Sequence, residues 1–261
     1  MSANSAVLQG LIFDVDGTLA DTERDGHRPA FNAAFREAGL DWHWDEALYG
    51  DLLAVTGGKE RILHFVSRHR PDFARLPDLN ERIAALHKAK TRHYTQLAAA
   101  GSIPLRPGVA RLLQEARAAG LRLAVATTTT PENVSALLVP ALGPDAMTWF
   151  EVIGAGDVVP AKKPAPDIYQ WVLERLGLPA AACLAFEDSE NGLKASLGAG
   201  LATVVTPCDY AQKGKRSCPE EALLGCTRGQ DFGGATAVFD SLEGVALSDL
   251  LTWLSRAAAP V

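Results

Sequence analysis

The stretch Leu11-Ile12-Phe13-Asp14-Val15-Asp16-Gly17-Thr18-Leu19 limits what this chain can fold into more than any other. The apolar run, led in by Ala6-Val7-Leu8-Gln9-Gly10, has the length and bounds of a buried strand. It ends on two aspartates separated by one residue, then Gly-Thr. Strand side chains alternate between faces, so Asp14 and Asp16 share a face if the strand runs on through them. A turn at Gly17 then leans both carboxylates over the strand's carboxyl edge, where open α/β sheets place their sites. Carboxylates this close repel each other, and a cation between them relieves the cost. A task-free acidic junction leaves the aim of the apolar run unexplained.

Strand-sized runs recur at Leu121-Arg122-Leu123-Ala124-Val125-Ala126, Val152-Ile153-Gly154-Ala155, Leu184-Ala185-Phe186 and Ala202-Thr203-Val204-Val205. Helical segments lie between them, such as Val109 to Ala119, stopped by Gly120, and Asp167 to Leu176, stopped by Gly177. Alternation of this kind means a parallel sheet covered on both faces, and right-handed crossovers put every carboxyl end on one rim. From 22 to 98 the pattern changes to helical periodicity with no strand. Phe31, Ala34, Phe35 and Ala38 share one helical face, with Gly39 as its stop. Leu48, Leu52, Leu53 and Val55 mark a second helix, and Ile62, Leu63, Phe65 and Val66 the inward side of a third over Lys59 to His69. Leu79, Ile83, Leu86, Lys90 and Tyr94 mark a long fourth. The expected architecture is an α/β, Rossmann-like parallel-sheet core (residues 1–21 and 99–261) interrupted by a helical bundle (22–98).

A chain of 261 residues has room for both parts, and 48% hydrophobic with 21% charged residues describes a soluble globular protein. A net charge of -6 argues against nucleic acid or an anionic membrane as the main partner. There is no membrane-length apolar run and no charged-then-apolar leader; Met1 to Ser5 read as a polar lead-in. Cys183, Cys208, Cys218 and Cys226 show no Cys-x-x-Cys spacing, which favours reduced thiols in a cytoplasmic protein; a Cys218–Cys226 disulfide is disfavoured there. Cys183 reads as a buried strand residue. A monomer is expected.

Three further groups fall at strand ends. Thr127 follows the second strand in Thr127-Thr128-Thr129-Thr130-Pro131-Glu132-Asn133, where Thr130 and Pro131 suit a helix N-cap and first position and leave Thr127 unexplained. Lys162-Lys163-Pro164-Ala165-Pro166-Asp167 puts two cations before a turn, Lys162 facing solvent. In Phe186-Glu187-Asp188-Ser189-Glu190-Asn191-Gly192 two acids again end an apolar strand. An all-oxygen donor set of Asp and Glu suits Mg2+, and neither His nor Cys is spaced for zinc.

These four segments, in this order, resemble the motifs of the haloacid-dehalogenase superfamily of phosphohydrolases and phosphomutases. The resemblance implies Asp14 as nucleophile, Asp16 as general acid/base, Thr127 as a hydrogen-bond donor to the transferring phosphoryl group and Lys163 as its counter-charge. It implies a Mg2+ site made by the Asp14 carboxylate, the Asp16 main-chain carbonyl and Asp188, with Glu187 as a further ligand or the holder of a metal-bound water. Amides near Val15, Asp16 and Thr128 are implied as further donors to the phosphoryl oxygens. The metal-free dehalogenases of this fold lack the second acidic pair; phosphomutases share every motif named.

The helical insert resembles the superfamily's four-helix cap, which closes over the site. Asp21-Thr22-Glu23, Trp42-His43-Trp44, Thr56-Gly57-Gly58-Lys59-Glu60-Arg61, His87-Lys88-Ala89-Lys90-Thr91 and the run from Leu123 to Asn133 together resemble the CbbY-type branch, over nearly the whole chain to about Val205. That branch is implied to convert xylulose-1,5-bisphosphate, an inhibitory by-product of the CO2-fixing enzyme Rubisco, to xylulose 5-phosphate. A bisphosphate needs a second positive site. Gly58 and Lys59 at a helix start are the first candidates, with Arg61, Lys90 and Arg92 after them. Glu23 and His27 are candidates for the sugar hydroxyls, and Trp42-His43-Trp44 reads as cap core. A β-phosphoglucomutase-like enzyme, a broad sugar-phosphate phosphatase and a non-catalytic binding module are the competing readings. The segment from Gln212 to Gln230 departs from the branch and reads as an extra loop with a short helix. Ala237-Val238-Phe239-Asp240 then reads as the last strand. A terminal helix follows, with Ser248 as N-cap and Leu250, Leu251, Trp253 and Leu254 inward.

Overall fold

The computed structural model describes residues 7–208 and 230–257, so Met1 to Ser5 and the Cys218/Cys226 loop lie outside the described residues. Six parallel strands form one sheet in the order β3-β2-β1-β4-β5-β6: β1 Gly10–Phe13, β2 Arg122–Ala126, β3 Phe150–Gly154, β4 Cys183–Glu187, β5 Ala202–Val205 and β6 Ala237–Val238. This is the Rossmann-like strand order expected of the α/β core, and the order reverses beside β1. Gly10 to Phe13 pair with Arg122 to Val125 on one side and with Cys183 to Phe186 on the other. The central strand is covered on both faces, which is why it reads as an unbroken apolar run.

Side chains leave β1 alternately. Leu11 and Phe13 join Val125, Phe186 and Val204 in a core completed by α6 (Val109–Ala118), α7 (Pro131–Leu142) and α10 (Leu247–Ala257). Ile12 joins Ala124, Ala126 and Ala185 on the opposite face, under α8 (Asp167–Leu176). Ser189 caps α9 (Glu190–Gly198), its hydroxyl accepting from Gly192 N, and Thr130 caps α7 with Pro131 at the first position.

Between Ala20 and Leu105 the chain makes only helices. A turn of π-helix, Glu23–His27, runs straight into α1 (Arg28–Glu37). Then come α2 (Glu46–Leu52), α3 (Gly58–His69), the short α4 (Pro71–Ala74) and the 21-residue α5 (Leu79–Ala99). Phe31, Phe35, Trp42, Trp44, Tyr49, Ile62 and Phe65 give this insert its own core, with Trp42 and Trp44 inside it. Leu63, expected inward, is exposed: it lies one position off the Ile62, Phe65, Val66 stripe.

The insert is tied back at Leu105, which bridges Ala20, while Arg106 N donates to Leu19 O. The Arg106 guanidinium donates to the carbonyls of Gly17, Thr206 (2.6 Å), Pro207 (3.1 Å) and Asp240 (3.0 Å). In α10, Leu251 is exposed and Ser248 is not the cap. The helix begins at Leu247, and the Asp249 carboxylate reaches back to Ala246 N at 2.8 Å. Among the described residues no helix is long and apolar enough to cross a membrane.

Candidate active site

β1 ends at Phe13, and Asp14, one residue on, is still tied to β4 through Asp14 N to Phe186 O at 3.0 Å. The Lys163 Nζ joins three strand ends: it donates to Asp14 Oδ1 at 2.7 Å, to Ala126 O at 2.8 Å and to Glu187 Oε1 at 2.6 Å. Glu187 closes β4 and Asp188 follows it. Carboxylate oxygens of Asp14, Glu187 and Asp188, all three buried, lie within 4.8 Å of one another. Gly17 makes this approach possible. It sits at φ +88°, and a Cβ there would stand 2.1 Å from Asp188 Oδ2.

One ammonium does not balance three buried carboxylates. Burial, with Glu187 and Asp16 adding to it and Lys163 opposing, pushes Asp14 up to about 7. Burial, then Asp14 and Glu187, push Asp188 well above 3.8, against the thiol hydrogen bond from Cys208. Burial lowers Lys163, but Asp14 and Glu187 outweigh it and hold the ammonium charged. Surplus negative charge, oxygen donors only, and a Glu187 Oε2 that is buried without a hydrogen-bond partner fit a hard divalent cation such as Mg2+.

Thr127 stands buried at the end of β2, and its hydroxyl accepts from Thr129 N at 3.3 Å, which leaves its proton to donate. Thr128 follows, half-buried. Lys162, expected to face solvent, is mostly covered and paired with Asp157 at 2.6 Å.

Asp16 is held from the insert. Its Oδ1 accepts from Thr22 Oγ1 at 2.6 Å and lies 2.7 Å from His27 Nε2. His27 Nδ1 is 2.7 Å from Lys90 Nζ, and Lys90 is buried over the rings of Phe31 and Tyr94. An ammonium can only donate, so Nδ1 accepts and Nε2–H donates to Asp16. Burial alone raises the Asp16 carboxyl, but His27, Thr22 and Lys90 more than reverse it, and the net shift is below the ordinary value. Burial pushes Lys90 down to about 8, against the pull of Asp16 and Glu23. His27 has both ring nitrogens engaged, and Lys90 donates to His27 from a buried position, so in this structure both support Asp16.

The other insert candidates divide. Glu23 Oε2 accepts from Tyr49 OH, which accepts from Arg61 Nη1 at 3.0 Å; Arg61 Nε donates to Val55 O at 3.3 Å. Gly58 opens α3 behind Gly57 and packs against His87. Lys59 is nearly half exposed, and its Nζ pairs with Asp157 Oδ2 at 2.9 Å. Arg92 is exposed and bound to Glu37 on α1, so it staples two helices of the insert.

Sequence reasoning missed Tyr49, Tyr169 and the role of Thr22. Tyr169 occupies an inward position of α8, where helical spacing asks only for an apolar side chain, and its hydroxyl donates to Glu187 Oε1. A polar handle at a core position was the available signal.

A Rossmann-like sheet with an aspartate at the end of its central strand, a lysine reaching it and an acidic pair on the next strand defines the class. The chain belongs to the haloacid dehalogenase-like hydrolases, whose family model matches residues 8–200, and it is a phosphatase of that family. Within the family it is similar to the plasmid-encoded protein CbbY of Cupriavidus necator, 57% identical over 78% of this chain and 80% of that one. It is similar to protein CbbY of Cereibacter sphaeroides at 46% identity, covering 94% and 98%. Among solved structures it matches a CbbY variant from Rhodobacter sphaeroides in complex with xylulose-1,5-bisphosphate, with TM-score 0.82, 44% identity and coverage of 94% and 99%.

Proposed function

We propose that this chain is a Mg2+-dependent sugar-bisphosphate phosphatase that works through an aspartyl-phosphate and converts xylulose-1,5-bisphosphate to xylulose 5-phosphate and phosphate. It would thereby clear an inhibitor of the carbon-fixing enzyme. The observation that carries the chemistry is the Lys163 ammonium, bound at once to Asp14 and Glu187 beside a third buried carboxylate. The observation that supports the substrate is the likeness to a CbbY solved with that bisphosphate.

Asp14 attacks phosphorus in line; its carboxylate oxygen forms the new P–O bond as the ester P–O bond breaks. Lys163, the Thr127 hydroxyl and the amides near Val15, Asp16 and Thr128 hold the phosphoryl oxygens. The departing alkoxide takes a proton from Asp16, which then accepts one from the water that hydrolyses the aspartyl-phosphate. Thr22 and the Lys90–His27 pair orient the Asp16 carboxylate for both transfers, and the proton that Asp16 gives up is supplied along this pair: the Lys90 ammonium protonates Nδ1 as the Nε2 proton passes to Asp16, which leaves a neutral amine and a neutral imidazole. Asp14, Asp188 and the Asp16 carbonyl would hold Mg2+, with Glu187 at the edge of the set; the ion supplies neutralisation of the phosphoryl charge.

The helical insert meets the second phosphate. Asp157 already seats a carboxylate between Lys59 and Lys162, so this pair binds anions, and an incoming phosphate displaces Asp157 from Lys59. Glu23, with Tyr49 and Arg61 behind it, faces the sugar hydroxyls.

Released phosphate, measured over a panel of ketose and aldose mono- and bisphosphates with Mg2+ or EDTA, tests the reading. A preference for ketose bisphosphates that EDTA abolishes is expected. Rapid interconversion of hexose phosphates without free phosphate would refute it in favour of a phosphomutase.

A further inference from the structure

The chemistry above uses Asp14, Asp16, Lys163 and Asp188 and leaves Tyr169 without a task. Tyr169 is fully buried on α8, where phenylalanine would supply the same apolar contact. A buried phenol must find an acceptor, and here it is Glu187 Oε1, the oxygen that also accepts from Lys163 Nζ at 2.6 Å. The Lys163 ammonium stands over the Tyr169 ring, 5.1 Å from its centroid. The carboxylate is therefore bound unequally, with two donors on Oε1 and none on Oε2. Oε2 lies in the space that a side chain at position 192 would fill, since a Cβ on Gly192 would stand 1.9 Å from it. Glu187 thus has two employments within reach, one as the counter-ion of Lys163 and one in the acidic cluster with Asp14 and Asp188. The phenol is the group that favours the first.

We infer that Tyr169 is a positioning residue. Through its hydroxyl it fixes Glu187 as the permanent partner of Lys163, so that the ammonium stays aimed at Asp14 and the phosphoryl group it receives. Glu187 is then the lysine's anchor before it is a metal ligand. The inference rests on the phosphatase reading above and adds residues to the same site.

Tyr169→Phe keeps the ring, its packing and its face toward Lys163, and removes one oxygen. The expected result is a kcat lowered about tenfold with KM within about twofold, the scale of one lost charge-assisted hydrogen bond. If the phenol acts through Glu187, adding Tyr169→Phe to Glu187→Gln costs less than about twofold more, because interacting residues are not additive. The metal is read without substrate, as the rise in thermal midpoint on adding Mg2+. That rise stays at least as large in Tyr169→Phe as in wild type, since the released carboxylate is free to turn toward the cation. A folded Tyr169→Phe with wild-type kcat would overturn the inference, as would equal losses in both backgrounds or a Mg2+ response that falls along with kcat. Absence of phosphate release from the wild type would refute the parent reading instead, and the Mg2+ melting comparison would still report on Tyr169.

Discussion

Replacing Lys163 with methionine removes the one cation from a buried cluster of Asp14, Glu187 and Asp188 while keeping most of the side-chain volume. Three hydrogen bonds go with it, to Asp14, Ala126 O and Glu187. Breaking a buried ion pair by deleting one partner costs roughly 3–5 kcal/mol, because the remaining charge stays uncompensated. For a chain of this size that is a fall in thermal midpoint of roughly 6–20 °C, at about 2–4 °C per kcal/mol. The loss has a definite pH dependence. Asp14 is raised from 3.8 to about 7, so the folded state binds more protons than the unfolded one between those values. Stability contributed this way is present at low pH and is lost as pH rises through the folded value. Deleting Lys163 raises the folded value further, so the gap between variant and wild type should widen from pH 5 to pH 8. Millimolar Mg2+ should recover more of the melting temperature in the variant than in wild type, since it meets a larger surplus of negative charge, while turnover stays lost. Circular dichroism melts at several pH values, each with EDTA or Mg2+, make the measurement. A deficit below about 1 kcal/mol at pH 8, or one that does not change with pH, would show that Lys163 does not hold this cluster together.

Asp14→Asn should keep its fold and lose at least about 10³-fold in phosphate release, with a melting temperature no lower than wild type, because a like charge leaves the cluster; substantial turnover would mean a different nucleophile. Lys90 is lowered from 10.5 to about 8, so the unfolded chain binds more protons between those values and wild-type stability should rise with pH across that window. Lys90→Met should flatten this rise in pH-dependent melts and also lower kcat by loosening His27 on Asp16. Lys59→Ala should raise KM chiefly for bisphosphates, and it should change the melting temperature little, since exposed pairs such as Lys59–Asp157 contribute about 0–1 kcal/mol; an equal rise for monophosphates would remove Lys59 from the second phosphate site.

The sheet was legible because its strands are short apolar runs with polar groups at one end, and β1, buried on both faces, is the clearest of them. The strand ends were legible for the same reason: an aspartate or glutamate at the close of an apolar run has no packing purpose. The insert's helices followed from spacing, and Lys90 illustrates where spacing stops. It falls on the inward stripe of α5 with Ile83, Leu86 and Tyr94, yet nothing in the sequence says that its partner is His27, 63 positions away. Charge alone suggested a phosphate ligand; burial made it an internal donor. The partners of Lys162 and Arg92 were hidden likewise: Asp157 lies five positions back in the same loop and Glu37 on α1, and nothing in the sequence pairs them. Tyr169 was hidden by its own suitability for a helix core.

The Arg106 guanidinium fixes the floor on which the insert stands. It lies just past the point where the insert rejoins the core, yet it grips carbonyls of Gly17, Thr206, Pro207 and Asp240, all on the core side. The backbone of the loop that carries Asp16 and Gly17 is therefore clamped from the core, while the Asp16 side chain is held by Thr22 and His27 of the insert, so an opening of the helices between 21 and 104 would part those contacts. Closing over a substrate and arming the acid are then a single event, with one arginine keeping the backbone beneath them still.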